Sequence, residues 1–246
     1  MRLQIQMRLN RPTPEHPPIE ATASTAISGI PENEDEALSL VKNSALSAGE
    51  IEHLSKNPAF SKSRKVKLAI CTHPHTPRYV SIPLLRHLFT FDLMRVALTP
   101  AVPADVKLAA EESLINRLGA LPEGERLSLA KRASGRVAAV LLLEREACVM
   151  RAALENPRLT EAAIVRSVIR PDAPAALISA VCNHSKWSVR RDVRIALLRA
   201  EKTPLVRALE FARSLSAAQV REVLNVSRLP LGVKTLVLQD LERRVR

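Results

Sequence analysis

Two halves of this chain echo each other without a gap, and that echo limits what the chain can fold into. Adding 127 to a residue number, the step from Thr76 to Thr203, carries Val66-Lys67-Leu68-Ala69 onto Val193-Arg194-Ile195-Ala196. The same step carries Thr76-Pro77 onto Thr203-Pro204, Arg86 onto Arg213, Leu88 onto Leu215 and Pro103 onto Pro230. It also carries Val106-Lys107 onto Val233-Lys234, Leu114 onto Leu241, Arg117 onto Arg244, Phe60-Ser61 onto Trp187-Ser188 and Ile51 onto Ile178. The duplication therefore covers about residues 51–118 and 178–245. A constant offset held this long marks a repeat architecture, in which each unit buries its apolar face only against its neighbours.

The residue inventory says what the repeated unit is made of. The chain is 46% hydrophobic but only 2% aromatic, so Leu, Ala, Val and Ile do the packing, as suits closely stacked helices. Six glycines leave little for hairpins or phosphate-cradling loops, and most of the seventeen prolines border apolar segments, where proline starts or stops a helix. Short helices of roughly ten residues each, about 15 Å long, follow one another from Asn33 to the end. Among them, Ser47 caps Ala48–Lys56, Ser61 caps Lys62–Cys71, Pro103 starts Ala104–Leu118, and Val189–Arg199 follows Ser188. Pro83 kinks or divides the helix that starts at Thr76-Pro77, because an internal proline removes a backbone donor. No strict period-two alternation competes. The expected fold is all-α, a right-handed helical-repeat solenoid spanning 33–246, preceded by a disordered Pro/Ser/Thr-rich tail over 1–32.

In Val189–Arg199 the spacing places Val189, Val193, Ala196 and Leu197 on one stripe and Arg190, Arg191 and Arg194 opposite. Arg64 and Lys67 hold the places of Arg191 and Arg194 in the first copy, so a basic outer face recurs with the repeat. Short motifs then resemble the HEAT-like α-solenoid superfamily, and within it the leucine-rich repeat variant group. They are the corners Asn57-Pro58, His73-Pro74, Asn156-Pro157 and the degenerate Asn183-His184, the Thr-Pro helix starts, and the Val-Arg…Ala run from Ser188 to Ala196. The resemblance covers roughly residues 45–246 and implies a curved stack of short helices. Leucine-rich repeat variant proteins can carry an N-terminal iron–sulfur cluster. No cysteine precedes Cys71, so that cofactor does not carry over, and none is expected.

Net charge is +12. The first 50 residues hold four Lys/Arg against seven Asp/Glu, which leaves +15 on the rest, a body that attracts polyanions. Three widely spaced cysteines, Cys71, Cys148 and Cys182, read as free thiols of a reducing, cytoplasmic compartment, and no apolar run is long enough to cross a bilayer.

Two segments offer local chemistry. In Lys131-Arg132-Ala133-Ser134-Gly135-Arg136, Ser134 can cap a helix and Gly135 admits a close approach, so cations and free N–H groups there suit an anion or a partner's acidic group. The ordinary alternative is an N-cap with snorkelling arginines. Cys71, His73 and His75 supply soft ligands of the kind zinc takes. The second copy, however, has Leu198, Ala200 and Lys202 there, so the repeat does not require a metal. Trp187, the only tryptophan, pairs with Phe60 across the repeat and reads as a packing wedge. No catalytic set emerges. The expected function is a non-enzymatic scaffold binding another macromolecule, foremost a protein. The alternatives are a nucleic-acid binder using the basic outer face, since HEAT-like DNA glycosylases show that such solenoids can cradle DNA, though the few aromatic residues here argue against glycosylase activity, and a metal-dependent enzyme at Cys71, His73 and His75.

Overall fold

The computed structural model describes residues 31, 33–60 and 62–245; the tail expected over 1–32 lies almost wholly outside them. From Glu32 onward the chain forms one compact unit. Fifteen α-helices and no strand occur among the described residues. In order they are α1 Glu34–Val41, α2 Ala48–Lys56, α3 Arg64–Thr72, α4 Arg78–Leu85, α5 Thr90–Leu98, α6 Ala104–Ile115, α7 Glu123–Arg132 and α8 Gly135–Leu141. Next come α9 Ala147–Leu154, α10 Glu161–Val168, α11 Ala175–Asn183, α12 Arg191–Arg199, α13 Leu205–Arg213, α14 Ala217–Asn225 and α15 Leu231–Val245. Every extensive helix–helix contact joins elements one or two places apart in this order. Such packing is one-dimensional, as in a helical-repeat solenoid. No helix among the described residues is long and apolar enough to cross a membrane.

The 127-residue step applies to the skeleton as well as the letters. It carries α1 onto α10, α2 onto α11, α3 onto α12 and α5 onto α14 with both ends matched, and the starts of α4 and α6 onto those of α13 and α15. The repeated unit is thus six helices long and begins at Glu34, upstream of Ile51.

Each helix start has a local cause. Asn33, Ser47, Ser63, Ser134, Thr160 and Ser216 accept a backbone N–H from three residues on, and at Ser47 and Ser216 the third residue bonds back. Prolines 77, 103, 122, 174 and 204 stand just before α4, α6, α7, α11 and α13, their fixed φ suited to helix entry. The Thr-Pro starts add a tether. Thr76 Oγ1 donates to the Ile70 carbonyl and Thr203 Oγ1 to the Leu197 carbonyl, each at 2.6 Å, fixing the angle between consecutive helices in both copies.

Corners between helices reuse one bond. A side-chain acceptor takes the N–H two residues on: Asn43 from Ala45, Asn57 from Ala59, His73 from His75, Asn156 from Arg158, His184 from Lys186 and Ser227 from Leu229. This is the Asx-turn, with histidine or serine standing in for asparagine. In the pair Asn183-His184 the corner residue is therefore His184, the equivalent of Asn57.

Several helix boundaries differ from those the sequence suggests. α3 starts after Ser63 rather than Ser61, and α12 after Arg190 rather than Ser188. Phe60 and Trp187, 3% and 2% exposed, are pressed into the core at these corners, and the chain needs an extra turn before a helix can begin. Val189 falls in that turn and is exposed, off the buried stripe of Val193, Ala196 and Leu197. α6 stops at Ile115 and a 3-10 turn follows over Leu118–Ala120. Pro83 sits inside α4, which ends two residues later.

Candidate functional site

The Cys71, His73 and His75 run is occupied by structural bonds. His73 Nδ1 accepts the His75 N–H at 3.2 Å, which leaves Nε2 as the protonated nitrogen, 3.1 Å from the Asn43 carbonyl. His75 Nδ1 lies 3.2 Å from the Leu46 carbonyl. The equivalent bond in the second copy is Lys202 Nζ to the Ala173 carbonyl at 2.8 Å, so an imidazole and an ammonium serve one architectural purpose. The Cys71 thiol is buried, and burial pushes its pKa up to about 12, far from the thiolate that zinc takes. No group of three or more His, Cys, Asp or Glu among the described residues is placed to hold a metal.

Around Lys131–Arg136, Ser134 Oγ accepts from Val137 N at 3.4 Å and caps α8. The close approach that Gly135 permits is taken by this chain's own backbone. A Cβ at 135 would run into the Arg158 carbonyl. That corner is clamped by Asn156, fully buried, whose Nδ2 donates to the Ala130 and Ala133 carbonyls at 2.7 and 3.1 Å. Arg158 Nη1 reaches the Arg132 carbonyl, and Arg136 pairs with Glu111 of α6 at 3.8 Å. Lys131 and Arg132 are exposed on α7.

The basic faces of the two copies are equivalent in position but differ in their partners. Arg64 clamps Asp92 through two bonds of 2.6 and 3.0 Å, while its guanidinium stacks 4.6 Å from the exposed Phe89 ring. Arg191, its equivalent, is exposed, and the residue at the place of Asp92 is Gln219. Arg194 folds back, donating Nε to the Ser188 carbonyl at 2.8 Å with its guanidinium 5.9 Å from the Phe211 ring. Lys67, its equivalent, is half-buried, and its ammonium makes no hydrogen bond or ion pair among the described residues. The nine candidate cations and cap residues thus belong to α3, α12 and the stretch from α7 to α8, and their polar partners lie in different elements.

Two arrangements escape sequence reasoning. Arg126, whose side chain is 15% exposed, lies 3.5 Å from Glu144 and 2.9 Å from Glu146, tying α7 to the segment before α9. Burial raises the Glu144 pKa, while Glu146 is held low chiefly by its own backbone N–H. Acidification therefore removes stability contributed by Glu146, whereas Glu144 contributes in the opposite sense, losing its contribution as pH rises.

The other is an open groove of about 590 Å³ between α10 and α12. Ala162, Val165, Ile169, Ile195 and Ala196 make its apolar floor. Glu161 and Asp192, in the first turns of their helices, stand at one end, and Arg166 and Arg199 toward the other. Arg199 Nε is buried without a hydrogen-bond partner among the described residues. The i, i+4 pairs Val165/Ile169 and Ile195/Arg199 are the sequence signal of this groove, but in a stack such apolar positions read as core. Compared with family models, with curated proteins and with solved structures, the chain matches none.

Proposed function

We propose that the chain is a non-enzymatic helical-repeat scaffold of HEAT-like, leucine-rich-repeat-variant type that binds a protein partner along its stacked helices. The α10–α12 groove carries this reading. Its apolar floor suits the side chains of a polypeptide, its charged ends give direction, and the Arg166 and Arg199 guanidinium groups suit a carboxylate of the incoming segment. The candidate metal run and the Gly135 cap are bonded within the chain itself, which weakens the enzymatic alternative. Three unpaired cysteines accord with a cytoplasmic setting.

A photo-reactive side chain at position 195 tests the reading in cells. It should form one dominant adduct with a protein, absent when the label sits instead at Thr235 on the exposed side of α15. Arg166→Glu combined with Arg199→Glu should abolish the adduct and leave the melting temperature unchanged within about 3 °C, since neither guanidinium makes an ion pair among the described residues. Equal labelling from both positions, or adducts to nucleic acid alone, would contradict the proposal.

A further inference from the structure

The duplication supplies an internal control that exposes a second site. A cleft of about 280 Å³ opens where α2, α3 and α4 meet, lined by Leu54, Ser55, Phe60, Lys67, Ile70, Leu84 and His87. The same step of 127 residues turns this lining into Val181, Cys182, Trp187, Arg194, Leu197, Phe211 and Ser214. The second copy places larger aromatic rings at two of the apolar walls, Trp187 for Phe60 and Phe211 for Leu84, while Val181 for Leu54 and Ser214 for His87 are smaller. Both rings are buried there, at 2% and 1% exposure, whereas Leu84 is only half-buried. The cation at the rim differs too. Arg194 is spent on the Ser188 carbonyl and faces the Phe211 ring, but the Lys67 ammonium has no partner among the described residues. The first copy therefore keeps a cleft with an unengaged ammonium where the second copy buries two aromatic rings and ties its cation down.

The lining dictates what fits. Leu54, Phe60, Ile70 and Leu84 offer apolar walls, and the volume is near the lower limit for ligand pockets, enough for one side chain or a short aliphatic body. No carboxylate of the described residues lines the cleft. The Ser55 hydroxyl already donates to the Glu52 carbonyl at 2.7 Å, which leaves Lys67 and His87 as the polar groups able to donate to a ligand. A single ammonium beside one imidazole matches a monocarboxylate adjoining an apolar group. We infer that the cleft between α2, α3 and α4 is a binding site for an apolar residue bearing a free carboxylate, presented as the C-terminus of a protein partner. The source of the carboxylate rests on the scaffold reading; the apolar-carboxylate chemistry does not.

The test uses the full chain and three probes: an N-acetylated pentapeptide ending in leucine with a free carboxylate, the same peptide amidated, and octanoate. Binding is followed by calorimetry and by amide chemical shifts. The free-acid peptide should saturate and shift amides around Lys67 and His87, and the amidated peptide should bind at least tenfold more weakly. Lys67→Met should cost the free acid about tenfold. Phe60→Trp combined with Leu84→Phe should abolish binding by filling the cleft, with the melting temperature held or raised because the second copy already packs these residues. Equal binding of acid and amide, or undiminished binding to the filled variant, overturns the site. Saturable octanoate binding with no peptide binding upholds the carboxylate chemistry and overturns the C-terminal source. The groove at Ile195 is read out separately, so failure here leaves the scaffold reading standing, and failure there leaves this one.

Discussion

Replacing Trp187 with alanine should lower the stability of the folded chain by about 4 kcal/mol, the usual cost of emptying a large aromatic site. The indole is 2% exposed, and its Nε1 donates to the Leu154 carbonyl at 2.9 Å, so alanine removes both packing and an N–H that reaches across to α9. The first copy identifies the conservative replacement. Phe60 holds the equivalent corner without an indole N–H, so Trp187→Phe should cost only about 1–2 kcal/mol, the hydrogen bond plus a small void. Urea unfolding followed by circular dichroism measures both. An alanine variant within about 1 kcal/mol of the parent would mean the corner is not wedged by this ring.

Gly135→Ala should destabilise by about 3 kcal/mol, the upper part of the usual range for overpacking. Propensity alone argues the other way, since alanine in a helix is worth about 1 kcal/mol over glycine. Contact decides the sign. The new methyl meets the backbone carbonyl of Arg158, which has no rotamer to turn away, and the corner is fixed to the α7 carbonyls through Asn156. Either α8 shifts or those two bonds break. Gly124 offers the control, because nothing lies near a Cβ there and alanine should be neutral or mildly stabilising. A neutral or stabilising Gly135→Ala would show that α8 and the 156–159 corner are not in contact.

Much of the architecture can be read from letters alone. The offset of 127, the Thr-Pro starts and the helical period all survive in the folded chain. The upstream edge of the duplication does not show by identity, because EDEALSLV over 34–41 and EAAIVRSV over 161–168 share little beyond Glu34/Glu161 and Val41/Val168. What they share is burial: Ala37 and Ile164, then Val41 and Val168, face the core. His73 and His75 read as ligands by residue type, yet position decides their use, since one completes an Asx-like corner and the other does the work of Lys202. The α10–α12 groove is hidden for a related reason. Val165, Ile169 and Ile195 have the period of core residues, and only the packing of whole helices leaves them half-covered. The cleft at Lys67 lies between these cases. The pairs Phe60/Trp187 and Leu84/Phe211 are visible in the alignment of the two copies, but their meaning depends on a shared three-helix junction.

The salt dependence of nucleic-acid binding separates a basic stack that serves a protein partner, as proposed, from one that serves a nucleic acid. A body of charge +15 binds any polyanion at low salt through counterion release, so low-salt binding decides nothing. Duplex DNA, single-stranded DNA and RNA should be titrated from about 50 to about 200 mM salt with the parent chain and with Arg191→Ala/Arg194→Ala and Arg132→Ala/Arg136→Ala variants. For a stack that serves a protein partner, affinity for all three should collapse across this range, and both variant pairs should weaken it slightly and alike. Micromolar or tighter binding that persists at about 200 mM, with one nucleic acid preferred and one pair lowering the salt slope by about one to two units, would contradict that reading.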